Sequence, residues 1–460
     1  MVKSNNANYI QELYHEICNG KLSLSSKIQQ SQRSTRKFVL FSVVSLVVVI
    51  ITARTLFLTD KTIQGNLLLN LEANAANIDG NSNNPVSRST TNGNACEGYK
   101  GILHIEEADE FAACGTAFFL HVINQIIYAE KYNLVPWVHL NNRSIHVYDD
   151  LVHGTQRQNI SVTVAGVVKE GGGHLPGEPL FKNAKAGEIT LYGNGVWNSY
   201  FQPAVSGVTE KTIQEDSTCA SLPIVTIPSK MVFPGIHYKA DWAVRAWPYR
   251  GWLKPKGQPL HEWYQPMRQR ANEITQRYYK ALPSLQEAIH EANPHDNANS
   301  KCLSIHIRLT DKGAGRKKNS LETFEPYAQA FVNSGMGNTL FIATDDARTI
   351  PTIQETWPQH MQSAQTLQVH FQKAAKRSST SEATFLIAPH HRINTEALVD
   401  IYGMAKCDCI IHGASAMSEA AQYLNYPNLH ECSVNLDDKG HISPEQFSEK
   451  LVAMQKKNRT

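Results

Sequence analysis

The sequence predicts an α/β protein: two α/β units facing a cleft, preceded by one transmembrane helix and a stem. Three observations predict it. From about Ser300 onward, short β-prone runs alternate with stretches of helical spacing. A region of similar character lies between Cys96 and about Ala292, and one long apolar run stands near the N-terminus.

The apolar run comes first. Phe38 to Ala53 (FVLFSVVSLVVVIITA) holds no charge, and Leu56-Phe57-Leu58 extends it past Arg54. Roughly twenty residues at about 1.5 Å rise cross a bilayer, so 38–58 suffices, with Arg54 snorkelling to one interface. Lys3, Lys21, Lys27, Arg33, Arg36 and Lys37 stand before it against Glu12 and Glu16, which puts the tail 1–37 in the cytosol and the remainder in the lumen. A cleaved signal peptide is the alternative, with an unusually long basic region. The stem 59–95 is rich in Asn, Ser and Thr, a flexible composition. The tripeptides at Asn142, Asn159 and Asn458 read as N-glycosylation sites, usable only in a lumenal protein. This layout is that of a single-pass type II Golgi membrane protein.

The 460 residues carry a formal net charge of +3, which is no footprint for nucleic acid. There is no CxxC pair, so neither zinc nor any other metal is expected. Cys96, Cys114, Cys219, Cys302, Cys407, Cys409 and Cys432 are available for disulfides in a lumenal enzyme, and Cys18 lies apart. The pairing stays open.

The first unit, 96–295, contains a helix-spaced stretch at Ala117–Tyr132 and a following strand at Val135–Leu140. Cys114-Gly115 before that helix is either a helix-entry turn or an ordinary loop. The Gly- and Pro-rich middle, Gly154–Pro234, gives no clear pattern. Trp242, Trp247, Trp252 and Trp263 flank a basic stretch, suited to stacking on a sugar or to core packing.

The second unit, 296–460, predicts strands at Cys302–Leu309, Thr339–Thr344, Leu367–Phe371 and Asp408–Ile411. Helices are expected at Thr323–Asn333, after Ala347, at Thr395–Ala405 and, last, from Ala416 to Leu424. Such alternation implies a parallel, doubly wound sheet. At the end of the first strand, SIHIRLTDKG (Ser304–Gly313) places His306, Arg308, Thr310 and Lys312 on one face if the period of two holds. Cations at that edge suit an anionic ligand such as a diphosphate; a solvated polar edge is the alternative. Asp345-Asp346 either cap the next helix or contact ligand. Asp400 lies mid-helix, where aspartate is unfavourable, and either hydrogen-bonds a base edge such as guanine or faces solvent. His412-Gly413-Ala414-Ser415-Ala416 opens the last helix, an anion site or an N-cap at Ser415.

Taken together, these segments resemble the α1,6-fucosyltransferase family, which includes the nodulation fucosyltransferases. The family's H-x-R-R-T-D-K is matched at His306-Ile307-Arg308-Leu309-Thr310-Asp311-Lys312 except at its second Arg. Its F-x-A-T-D-D appears as Phe341 to Asp346. Asp400-Ile401 through Asp408 and on to Ser415 is similar to its third motif. In the first unit the likeness is confined to Gly115–His121. The resemblance implies a GT-B-like pair of Rossmann-like domains, a GDP-fucose donor and metal-independent inverting transfer, with α1,6 linkage on the N-glycan core as one acceptor. It implies that Arg308 holds the β-phosphate, that His306 and Asp400 touch the nucleotide, and that Ser415 lies near the phosphates. Glu322 is the nearest match to the family's general base, and Asp311, paired with Lys312, orients it.

The chemistry agrees. Inverting transfer needs a base for the acceptor hydroxyl and charge neutralisation on the leaving diphosphate. Without a metal, Arg308 and Lys312 supply the second, and no D-x-D occurs in the chain. Leu309 stands where the family has its second Arg, and Ala416-Met417 where it has polar residues. The competing readings are a catalytically inactive glycan-binding relative, a transferase for a protein hydroxyl, and a sulfotransferase. The last needs a phosphosulfate loop, of which Lys100-Gly101 followed by Ile102 is the nearest approach.

Overall fold

A computed structural model describes residues 95–105, 119, 121–140, 159–169, 185–192, 195–226, 258–295, 301–309, 319–361, 366–372, 390–438 and 440–457. The membrane segment 38–58, the stem, Cys114, Thr310, Asp311, Lys312 and Trp242, Trp247 and Trp252 lie outside the described residues. Among the described residues, no helix is long and apolar enough to cross a membrane.

The fold is α/β, with two five-stranded sheets in one compact unit. In the first half, β1 (Gly101–Ile105) is followed by α1 (Val122–Tyr132) and β2 (Leu134–Val138), then β3 (Asn159–Lys169) and β4 (Lys185–Tyr192). Next come α2 (Glu210–Glu215), α3 (Ser217–Ala220) and β5 (Ile224–Thr226). The sheet order is β2-β1-β5-β3-β4, parallel except for the β3–β4 pair. That antiparallel ribbon fills the stretch the sequence left without a pattern. Helix α1 begins five residues after the expected Ala117, and Phe119 and His121 precede it in a wider turn.

Two long helices join the halves: α4 (Leu260–Tyr278) and α5 (Pro283–Ala292). The second half then runs β6 (Cys302–Ile307), α6 (Leu321–Asn333), β7 (Thr339–Thr344), α7 (Thr349–His360), β8 (Gln368–His370) and α8 (His390–Ala405). It continues with β9 (Cys409–His412), α9 (Ala416–Leu424), α10 (Asn428–Glu431), β10 (Ser433–Asn435) and α11 (Pro444–Lys457). All pairings are parallel, in the order β10-β9-β6-β7-β8. Helix α9 is therefore not the last element, because β10 and α11 close the sheet edge and its outer face.

Strand β6 is buried along its whole length and stops at Ile307, two residues before the expected end. Its alternation does not mark a wet face: Ser304 is buried and donates to the Cys409 carbonyl, and His306 is buried too. A central parallel strand is covered on both sides, so its polar positions find partners inside.

Helix α4 grips both halves. On one side Glu130 of α1 takes Arg270, Arg277 and, at 2.9 Å, the Tyr278 hydroxyl. On the other, Asn272 and Thr275 donate to the Tyr423 carbonyl at 2.7 and 3.1 Å. One hydrophobic cluster accordingly runs from Leu103 and Trp197 through Ile274 and Tyr279 to Met404 and Tyr423. Trp263 is buried against Tyr264 on this helix, so it serves packing. Among the described residues, three disulfides settle the open pairing of six cysteines: Cys96–Cys219, Cys302–Cys407 and Cys409–Cys432.

Candidate functional site

The strand order fixes where a ligand belongs. From β6 the chain winds outward to β7 and β8, then returns through α8 and winds the other way to β9 and β10. The sheet therefore reverses direction between β6 and β9, and in open α/β sheets the crevice beyond the carboxyl ends at such a point takes the ligand. His306 of β6 pairs with His412 of β9, so Arg308 and the Gly413–Ser415 loop leave the sheet side by side.

Arg308 is partly exposed, and its Nε lies 3.7 Å from Asp345 Oδ2 at the end of β7. The other oxygen of Asp345 accepts the Leu309 backbone N–H at 2.8 Å. Leu309, in the place of the family's second Arg, packs its side chain against the core under the sheet. The guanidinium is thus held at the edge by a carboxylate below it and an apolar anchor behind it.

The aspartate pair divides its labour. Asp346 is buried; its Oδ1 accepts the Arg348 N–H at 2.9 Å, and its Oδ2 accepts Arg348 Nη2 at 2.6 Å. This is the turn that opens α7, the helix-entry alternative. Asp345 instead serves the Arg308 loop.

At the end of β9, Ser415 caps α9, its Oγ accepting the Met417 N–H at 3.3 Å. The Ala414 N–H is not open to solvent as expected: it donates to Asp437 Oδ2 at 2.7 Å, while Asn319 holds Oδ1. A Cβ on Gly413 would stand 3.2 Å from Asp437, so the glycine admits that close approach. His412 donates from Nδ1 to the Gly413 carbonyl at 2.8 Å, and burial depresses its pKa to about 4, leaving it neutral.

Asp400 is buried on α8, which packs on β6 and β7, so the solvated-face alternative falls. Glu322 is exposed in the first turn of α6. A hydrogen bond from the Ser320 side chain, and then its own backbone N–H, hold its carboxyl below the usual range. A general base works best with a pKa near the operating pH, and this environment pushes the other way. Described residues bring together Arg308, His306, Asp345 and the Ser415 loop. Asp346 and Glu322 lie at the entries to α7 and α6.

Sequence reasoning missed a second polar group, at the carboxyl edge of the first sheet. His139, just past β2, shares a hydrogen bond of 2.8 Å with Glu210, whose carboxyl it holds below the usual range. His104 of β1 lies tilted against Trp137, with 4.7 Å between ring centroids. Both histidines sit inside apolar runs (LHI and WVHL), which is the signal that was present.

No protein-family model matches this sequence, and neither does any curated protein. Among solved structures, the chain is similar to the fucosyltransferase NodZ from Bradyrhizobium at 11% identity and a TM-score of 0.34, covering 75% of this chain and 98% of that one. It is similar to POFUT1 in complex with GDP-fucose at 10% identity and a TM-score of 0.35, covering 73% and 97%. Arabidopsis thaliana FUT1, as a variant in complex with GDP, aligns at 10% identity and a TM-score of 0.34, covering 75% and 72%.

Proposed function

We propose that the protein is a glycosyltransferase that moves fucose from GDP-fucose to a glycan or glycoprotein with inversion. The observation that carries this reading is Arg308, held by Asp345 at the point where the sheet reverses direction. A guanidinium there can grip diphosphate oxygens bidentately and neutralise charge as the C1–O bond breaks. Lys312 adds a second cation from the same motif. Asp400 on guanine, His306 on the nucleotide and Ser415 near the phosphates complete the donor side. No metal is needed in this scheme. Glu322 remains the motif's candidate base, with α1,6 transfer to the N-glycan core or to a protein hydroxyl as the acceptor choices.

The chain is proposed to act in the Golgi lumen as a single-pass type II membrane protein. Three disulfides favour an oxidising compartment.

Calorimetric titration with GDP, UDP and CMP tests the donor. GDP is expected to bind more tightly than the other two, and Arg308→Ala to lose most of that binding. Equal affinity for all three, or no effect of Arg308→Ala, removes the assignment. A second reading, a glycan-binding relative without turnover, is favoured by the exposed, low-pKa Glu322. It predicts acceptor binding without GDP release.

A further inference from the structure

The carboxylate of Glu419 lies one helical turn inside α9, its backbone N–H donating to the Ser415 carbonyl at 3.1 Å. It has no exposed surface. A buried negative charge in the first turn cancels the positive end of the helix dipole and repels an anion at the Gly413–Ser415 loop. Asp437 adds a second carboxylate at the same loop. Left alone, this end of the helix is a poor place for a diphosphate.

Arg268 offsets the first of these charges. It reaches across from α4, with Nε on Glu419 Oε1 and Nη2 on Oε2, both at 2.7 Å. Its Nη1 meets His430 Nδ1 at 3.0 Å, and its guanidinium lies 5.1 Å from the Tyr264 ring centroid. His430 is held neutral by burial and then by Arg268 itself, its pKa depressed to about 3, so it accepts this hydrogen bond. Burial opposes the charge on Arg268, and Glu419 more than offsets it. Three buried groups thus form a fork-to-fork pair with one neutral acceptor.

We propose that Arg268 is a positioning residue for the donor: by neutralising Glu419 beneath the Ser415 loop, it makes that helix end able to receive a nucleoside diphosphate. The inference rests on the donor reading above. Arg270, two residues on in the same helix, holds Glu130 of the first half, so α4 carries contacts to both halves.

The full chain in detergent is titrated with GDP as wild type, Arg268→Met, Glu419→Gln and the double variant, with circular dichroism melts alongside. Arg268→Met is expected to weaken GDP binding about tenfold or more, since it uncovers a buried carboxylate. Glu419→Gln is expected to tighten it, because a buried cation then faces the loop. The double variant is expected to return to within about threefold of wild type. A merely structural pair would lower the melting temperature in both single variants and move GDP affinity in neither, or weaken it in both; either pattern overturns the proposal. If Arg268→Met fails to fold, Glu419→Gln decides, and a failure to tighten GDP overturns it. Wild type that binds no GDP overturns the donor reading, and this inference with it. Wild type that binds GDP while the variants bind equally overturns this inference alone.

Discussion

The Leu309 backbone N–H and the Asp345 carboxylate meet at 2.8 Å, one residue beyond Arg308 and one beyond the end of β7. That contact joins the ends of two adjacent parallel strands. It also leaves the second oxygen of Asp345 facing the guanidinium at 3.7 Å. Asp345 thereby sets where Arg308 points. Asp345→Ala should slow turnover roughly 10- to 100-fold, the cost of misplacing a transition-state contact. Asp345→Asn should fall between, since its amide oxygen still accepts from Leu309. Single-turnover GDP release, with melting curves to confirm folding, checks both. Wild-type rates in Asp345→Ala would refute the role.

Gly403 sits in the last turns of α8 with Phe341 of β7 directly beneath it. A Cβ there would lie 2.3 Å from Phe341 Cζ and within 2.9 Å of two more ring atoms. Phe341 is fully buried and has no room to retreat. In an exposed helix Gly→Ala stabilises, but here the clash outweighs the propensity gain. Gly403→Ala should cost about 1–3 kcal/mol in urea unfolding. An unchanged or raised midpoint would show that α8 lifts freely off the sheet.

Much of the second sheet was legible because a doubly wound sheet writes itself as apolar runs that stop at polar turns. β7 matches its expected bounds, Thr339–Thr344, and the ends of β6 and β9 fall within two residues of expectation. The Asp345-Asp346 pair was legible as a position and not as a role: two identical side chains one residue apart face different partners. Strand β8, expected at Leu367–Phe371, is found at Gln368–His370, whereas β10, with only three residues, is too short for a period to show and was missed. The Arg268–Glu419 pair joins residues 151 apart, and neither neighbourhood hints at the other. The disulfides follow the same logic, since pairing is a property of the sheet and not of the spacing.

Cys302–Cys407 closes a loop of 105 residues and fastens the start of β6 to the turn before β9. Constraining so long a loop in the unfolded chain is worth roughly 2–5 kcal/mol. The Cys302→Ala/Cys407→Ala double variant should therefore lose about that much in urea unfolding at fixed pH. A midpoint within error of wild type would mean that packing of β6 between β7 and β9 suffices alone.

His104 sets a pH dependence that one substitution can isolate. The ring is buried, and among the described residues neither nitrogen has a hydrogen-bond partner. Burial, and then the charge of His139, depress its pKa from 6.5 to about 3. The unfolded chain therefore binds a proton between pH 6.5 and 3 that the folded chain refuses. The folded state is unaffected above pH 6.5 and weakens as pH falls below it. From the size of that shift, the loss at pH 5 is about 2 kcal/mol. His104→Phe keeps an aromatic ring against Trp137 and removes the titration. It should raise stability at pH 7, by ending the burial of two unmatched nitrogens, and should lose about 2 kcal/mol less than wild type between pH 7 and pH 5. Urea midpoints at the two pH values check this. The other depressed histidines among the described residues, His261, His370, His412 and His430, are common to both proteins and cancel in the comparison. Parallel pH profiles for the variant and wild type would place a proton on His104 in the folded state, and with it an unrecognised partner for the ring.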